Sequence, residues 1–282
     1  MIKIIFVIIF ILIFLAVLGY ALIVVESMKN CDTCPSVKCD DINTITSQAR
    51  GALDTVFPNK WFLVEGTLIS ALRWGRQCHL FKSGKKNFVD GDMDVYVIIK
   101  PEDRNQVMHQ IHKILSKDGW SYPTDRGDGI YVVHSPLKLP GMSCVKNRNI
   151  LRRNFDLEIH IMSPVADGFD VGKMKHLWKS FLVDGLVPGD IIYPLQPCKW
   201  GGGIAYAPAK YLEILSKWNG NEYGSAKDMW KPLESILATA DWFKCPCELS
   251  DGDIEEIKDV SQKLKQAKLA CFNINESIAL NS

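Results

Sequence analysis

The chain has 282 residues, 47% of them hydrophobic and 23% charged, which is ordinary globular composition and enough for one large or two small domains. Its 33 basic and 32 acidic residues leave a formal charge of +1, so the sequence lacks the positive field on which nucleic-acid binding rests. DNA and RNA are discounted as partners.

Ile4 to Val25 carries no charged residue and as a helix would extend about 33 Å, enough to cross a hydrocarbon core of about 30 Å. A cleaved signal peptide competes with this reading. The apolar run, however, exceeds the roughly 7 to 15 residues of such peptides, and Ala16, Gly19 and Ala21 define a cleavage site poorly. Residues 1–25 therefore read as a cytoplasmic tip and an uncleaved signal-anchor. Lys3 and the amino terminus lie before the span, which turns the short end to the cytoplasm. The expectation is a single-pass type II membrane protein whose remaining residues face the Golgi or ER lumen or the cell exterior.

Residues 26–45 are polar, without clear period, and read as a stalk. All nine cysteines follow the span, at 31, 34, 39, 78, 144, 198, 245, 247 and 271, and an odd number leaves at least one unpaired within a monomer. Their connectivity cannot be deduced, and structural bridges plus a free thiol are the plain reading. The cluster Cys31, Cys34 and Cys39 also offers a zinc site or a covalent link that would make a homodimer.

Trp61 to Val64 is a short apolar run that meets a turn at Glu65-Gly66-Thr67, after which Leu68, Ile69, Leu72 and Arg73 fit a helix with one apolar face. A Gly/Lys-rich loop from Ser83 to Phe88 leads into the strand Asp92 to Ile99. Pro101 punctuates its end, and Val107, Ile111, Ile114 and Leu115 recur at helical spacing. Gly129 to His134 and Asn154 to Met162 read as two further strands.

Beyond about residue 170 the pattern turns to helices and loops, with Pro208 opening a helix before Tyr211, Leu212, Ile214 and Leu215. An amphipathic helix around Asp253 to Leu269 closes the chain, and no internal repeat is present. Strands alternating with helices predict an α+β fold with an α/β-like core, a mixed sheet flanked by helices. The core is expected at residues 46–170 and a helical and loop part that completes the substrate site at 171–282.

Acids two apart open two of these strands: Asp90, Asp92 and Asp94 in one, Asp156 and Glu158, with His160, in the other. Side chains at i and i+2 share a face and neighbouring strands stand about 4.8 Å apart, so two strands can aim three carboxylates at one point. Such a cluster repels itself unless cations fill it, and Mg²⁺ or a similar hard ion, Mg²⁺ or Mn²⁺ here, suits oxygen ligands and substrate phosphates. A pair of such ions would stabilise the attacking and leaving oxygens of an in-line displacement at phosphorus.

Asp92, Asp94 and Asp156 form the expected metal set. Glu158 competes with Asp156 both for the third place and as general base. His160 shares their face, yet a lone strand histidine is more often a hydrogen-bonded structural residue and stays outside the set. The amides at Gly66 and Thr67 suit a phosphate. Arg73 and Lys199 are candidates to meet donor phosphate, although single surface cations are commonplace. Trp61, Trp200, Tyr206, Tyr211 and Trp218 offer faces for a base or sugar, with core packing the plainer reading.

Glu65-Gly66-Thr67-Leu68-Ile69-Ser70-Ala71-Leu72-Arg73 followed by Asp90-Gly91-Asp92-Met93-Asp94-Val95 resembles the LicD/fukutin family. The resemblance continues at Ile192-Tyr193-Pro194-Leu195, at Gly201 to Pro208, and at Glu222-Tyr223-Gly224 with Trp230, covering about residues 50–235. The stretch from Thr67 to Asp90 is longer than usual there, and Asn87-Phe88-Val89 stands where an "IPW"-like element is common. The resemblance implies a nucleotidyltransferase-type fold that moves a phospho-alcohol, such as ribitol phosphate or phosphocholine, from a CDP-alcohol donor to a glycan acceptor, releasing CMP. On that footing Asp92 and Asp94 are the metal pair, Gly66 and Thr67 the phosphate turn, and Asp156 or Glu158 the third acid. Transfer of a nucleoside monophosphate, or catalytically silent glycan binding, are the alternatives.

Overall fold

A computed structural model describes residues 38–80, 82, 87–89, 92–127, 129–138, 154–211, 213–214, 252, 255–256 and 259. The expected membrane span, Cys31, Cys34, Asp90, Trp218, the Glu222-Tyr223-Gly224 segment and Trp230 lie outside the described residues. No described helix is long and apolar enough to cross a membrane.

The first helix, α1 (Cys39–Val56), begins within the segment expected to be stalk. Asp40 and Asp41 sit in its first turn, where negative charge complements the helix dipole. Ile42, Ile45, Ala49, Ala52 and Leu53 recur at helical spacing and are all buried. Only the outer face looks like a stalk. Cys39 is not free for a partner chain or a stalk zinc site: it forms a disulfide with Cys78, 39 residues on, and ties the start of α1 to a later strand.

The central sheet takes strands from across the domain. These are β1 (Trp61–Leu63), β4 (Asp92–Ile98), β7 (Asn154–Val165), β6 (Ile130–Lys138) and β5 (Thr124–Asp125), hydrogen-bonded in that order. The pair β4 and β7 is parallel, and β1–β4, β7–β6 and β6–β5 are antiparallel, so the sheet is mixed. A short β8 (Gly168–Asp170) pairs with the far end of β7. Between β1 and β4 run α2 (Glu65–Trp74) and a hairpin of β2 (Cys78–Leu80) and β3 (Asn87–Val89); α3 (Arg104–Leu115) follows β4.

Side-chain alternation gives the sheet two unlike faces. On one, Trp61, Leu63, Met93, Val95, Val97, Phe155, Leu157, Ile159 and Ile161 pack with buried residues of α1, α2 and α3. On the other, Phe62, Tyr96, Ile98 and Met162 pack with Trp178 of α4 (Lys175–Trp178) and Ile191 and Ile192 of α5 (Gly189–Ile192). That second apolar cluster ends where the acids begin.

The part beyond residue 170 is not only helix and loop. It contains a hairpin of β9 (Gln196–Trp200) and β10 (Gly203–Ala207). Trp200 and Tyr206 from this hairpin pack their rings against Trp61, with centroids 6.4 and 5.8 Å away. Trp61 and Trp200 are completely buried, and Tyr211 joins the same cluster. Trp61, Trp200 and Tyr211 are core, and Tyr206, half-buried, packs against it.

Candidate metal centre

The site follows from the register of three strands. Asp92 stands opposite Asp156, Asp94 opposite Glu158 and Tyr96 opposite His160 along the parallel pair β4 and β7. On the other side of β7, His134 faces Asp156, Val132 faces Glu158 and Ile130 faces His160. Three rows thus cross the sheet on the face opposite the main core.

The middle and lower rows converge. One ligand atom each from Asp94, Glu158 and His160 lie within 4.8 Å of one another. Asp94 and His160 are buried, and Glu158 is 12% exposed at its side chain. Asp156 is drawn elsewhere: its Oδ1 lies 2.8 Å from Nδ1 of His134, whose ring is 44% exposed. The cluster therefore differs from the set expected from sequence. Asp94 and the alternative third acid, Glu158, are in it, His160 joins them, and Asp92 and Asp156 form the adjoining row.

Each member is held by identifiable partners. The Thr67 hydroxyl accepts the Asp94 amide at 2.8 Å and donates to the Asp92 carbonyl at 3.3 Å. Gln77 donates through its side-chain amide to the same Asp92 carbonyl and accepts from Trp200 Nε1 at 2.9 Å. The Val64 amide donates to the Asp94 carbonyl at 3.1 Å. The first turn of α2 is thereby splinted to the start of β4, which fixes the height of the acids. The Thr67 side chain serves this splint, whereas the phosphate contact expected of this turn belongs to the Gly66 and Thr67 amides.

Glu65, which opens α2, is buried and has a positive φ of 54°. A non-glycine residue there carries roughly 1 kcal/mol or more of backbone strain, and such strain gathers at functional sites. Gly66 follows it, half-buried in the same turn. Glu65 also lines a recess with Val64, Leu68, Tyr96, Leu177, Trp178, Pro208 and Ile214.

Arg126, from the turn between β5 and β6, donates from Nη1 to Oε1 of Glu158 at 3.0 Å. It supplies part of the positive charge that clustered carboxylates require. His160 is 3% exposed; burial first, and the Arg126 guanidinium second, push its pKa down to about 4. The ring is therefore neutral near pH 7, and its 3.8 Å approach to Asp94 Oδ1 is neither an ion pair nor a hydrogen bond. Neither ring nitrogen has a hydrogen-bond partner among the described residues. Tyr96 packs its ring 5.0 Å from His160 and accepts from Trp178 Nε1 at 3.0 Å; burial raises its hydroxyl pKa well above the usual value.

The remaining expected residues fall farther out. Lys199 is exposed on β9, its Cβ beside Gly75, the left-handed residue that ends α2 at the opposite terminus from Glu65. Arg73 lies on α2, and its side chain is outside the described residues. Sequence reasoning missed His134 and Arg126, both supplied by strands and turns that only the sheet order brings alongside. Compared with protein-family models and with curated proteins, the chain matches none.

Proposed function

We propose that the chain is a metal-dependent phosphotransferase of the LicD/fukutin type, with a nucleotidyltransferase-type core, acting on a CDP-alcohol donor and a glycan acceptor. It is anchored through residues 4–25 and works on the lumenal or outer side of the membrane. The observation that carries this reading is the in-register pairing of Asp92 with Asp156 and Asp94 with Glu158 on adjacent parallel strands beside the Glu65-Gly66-Thr67 turn. A divalent ion held by Asp94 and Glu158 would neutralise a pyrophosphate and the charge that develops on the departing CMP oxygen.

The chain's own residues supply the rest. Asp156 holds His134 through Nδ1, which leaves Nε2 as the atom to receive a proton from an acceptor hydroxyl. As that proton moves, the acceptor oxygen bonds to the phosphorus of the phospho-alcohol, the bond to the CMP oxygen breaks, and CMP takes the electron pair. Arg126 stands where it can exchange Glu158 for donor phosphate. Thr67 and Gln77 keep Asp92 and Asp94 from shifting, so that positioning supplies much of the rate.

The test is CMP release by the full-length protein in detergent, given a panel of CDP-alcohols with Mn²⁺ or Mg²⁺, and its loss in Asp94→Asn. A product that carries the nucleotide instead would move the reading to nucleotidyl transfer. No CMP from any donor, with a glycan acceptor present, would remove the reading.

A further inference from the structure

We infer that His160 is a direct ligand of the cation held by Asp94 and Glu158, and that this nitrogen makes the site select a transition-metal ion over Mg²⁺. The inference rests on the metal-dependent reading above and narrows the choice left open there.

Three observations carry it. The first is geometry: one atom from each of the three side chains lies within 4.8 Å of the others, and Nε2 of His160 is 3.8 Å from Asp94 Oδ1. Ligand atoms that each sit about 2.1 Å from one ion stand roughly 3 to 4 Å apart, so the trio needs only small side-chain adjustments. The second is the histidine itself. Leaving a buried nitrogen without a hydrogen-bond partner is destabilising, and both nitrogens of His160 lack one among the described residues. An ion seated between the three residues takes one of them. The third is the way the ring is held: Tyr96 packs against it and is in turn fixed by Trp178, so its aim at the acids is built into the core of the second face.

The donor set then bears on the ion. Carboxylate oxygens alone suit Mg²⁺, Ca²⁺ and Mn²⁺, whereas imidazole nitrogen favours first-row transition ions. Mg²⁺ gains least from a buried nitrogen because it prefers oxygen and retains its waters. Two carboxylates and one imidazole therefore favour Mn²⁺, Co²⁺ or Zn²⁺.

The experiment needs no turnover. Equilibrium dialysis of the metal-stripped full-length protein in detergent against Mn²⁺ and Mg²⁺ gives the two affinities, and pulsed electron paramagnetic resonance of bound Mn²⁺ reports a directly coordinated nitrogen. The expected result is a Mn²⁺ site at least tenfold tighter than for Mg²⁺, with a coupled nitrogen that persists in His134→Gln and vanishes in His160→Gln. In His160→Gln the preference over Mg²⁺ falls about tenfold.

Bound Mn²⁺ without nitrogen coupling, a coupling lost with His134 instead, or equal affinities for the two ions would overturn the inference. Should His160→Gln fail to fold, the presence or absence of coupling in the native protein and in His134→Gln decides alone. Nitrogen-ligated Mn²⁺ without CMP release would leave this inference standing and remove the functional reading; CMP release with an all-oxygen site would do the reverse.

Discussion

The two side-chain parities of β4 and β7 make opposite use of the same backbone. Met93, Val95 and Val97, with Phe155, Leu157, Ile159 and Ile161, form an unbroken apolar face beneath α1 and α3. The alternate residues are divided: Asp92, Asp94, Asp156 and Glu158 occupy the N-terminal portions, Tyr96 and His160 share the next row, and Ile98 and Met162 follow it. One face secures the strands, which frees part of the other to gather like charges that weaken a fold. Substitutions one residue apart should therefore differ in kind.

The sharpest break is between Asp94 and Leu157. Asp94→Asn keeps the side-chain shape but removes a charge from the cluster. Metal-dependent turnover should fall by about three orders of magnitude or more, equivalent to several kcal/mol of lost transition-state stabilisation. The unfolding midpoint in denaturant should hold or rise, because a like-charge repulsion is relieved. Leu157 is fully buried between Asp156 and Glu158, and Leu157→Ala should lower stability by about 2–5 kcal/mol on the same denaturation curve. A stability loss in Asp94→Asn as large as in Leu157→Ala would show that the acids are structural.

Much of this division was legible in the sequence, because a period of two places Asp92 with Asp94 and Asp156 with Glu158 and His160 without any knowledge of neighbours. The mixed sheet with flanking helices followed from the alternation of strand and helix patterns. Register was not legible, since nothing local dictates that Asp92 meets Asp156 or that His134 takes Asp156 from the other side. His160 was set aside for the same reason: only three-dimensional packing reveals that its nitrogens lack partners. The β9–β10 hairpin was hidden by short strands interrupted by Pro197 and joined at Gly201-Gly202, which read as loop. The start of α1 was hidden by Asp40 and Asp41, which favour a helix terminus as much as a polar stalk.

Thr67 tests how far the two faces depend on a shared support. Thr67→Val removes the hydroxyl that accepts the Asp94 amide and leaves that buried donor unpaired, at a cost of about 1–3 kcal/mol. Because the same hydroxyl sets the height of Asp94, Mn²⁺ affinity in equilibrium dialysis should also weaken, by roughly tenfold or about 1.4 kcal/mol. Lost stability with unchanged affinity would mean that β7 alone holds the acids in place.

The smallest effect belongs to the latch between the β2–β3 hairpin and the C-terminal segment, which lies outside both faces. Glu256 accepts from the Lys82 amide at 2.8 Å and lies 2.9 Å from His79 Nε2, whose ring stacks on Trp74. Burial holds the His79 pKa below its ordinary 6.5, overcoming the pull of Glu256. Burial opposes the charge on Glu256, but the Lys82 amide and His79 together outweigh it and hold that carboxyl below its ordinary 4.5. Both folded values lie below the unfolded ones, so the unfolded chain takes up protons first and stability falls with acidification. The loss should begin as pH drops through the ordinary histidine value and deepen through the carboxylate range. In the double variant His79→Gln, Glu256→Gln the unfolding midpoint should depend less steeply on pH across that window. An equal slope in native protein and variant would assign the acid sensitivity to other groups, with the clustered acids of the second face the first to examine.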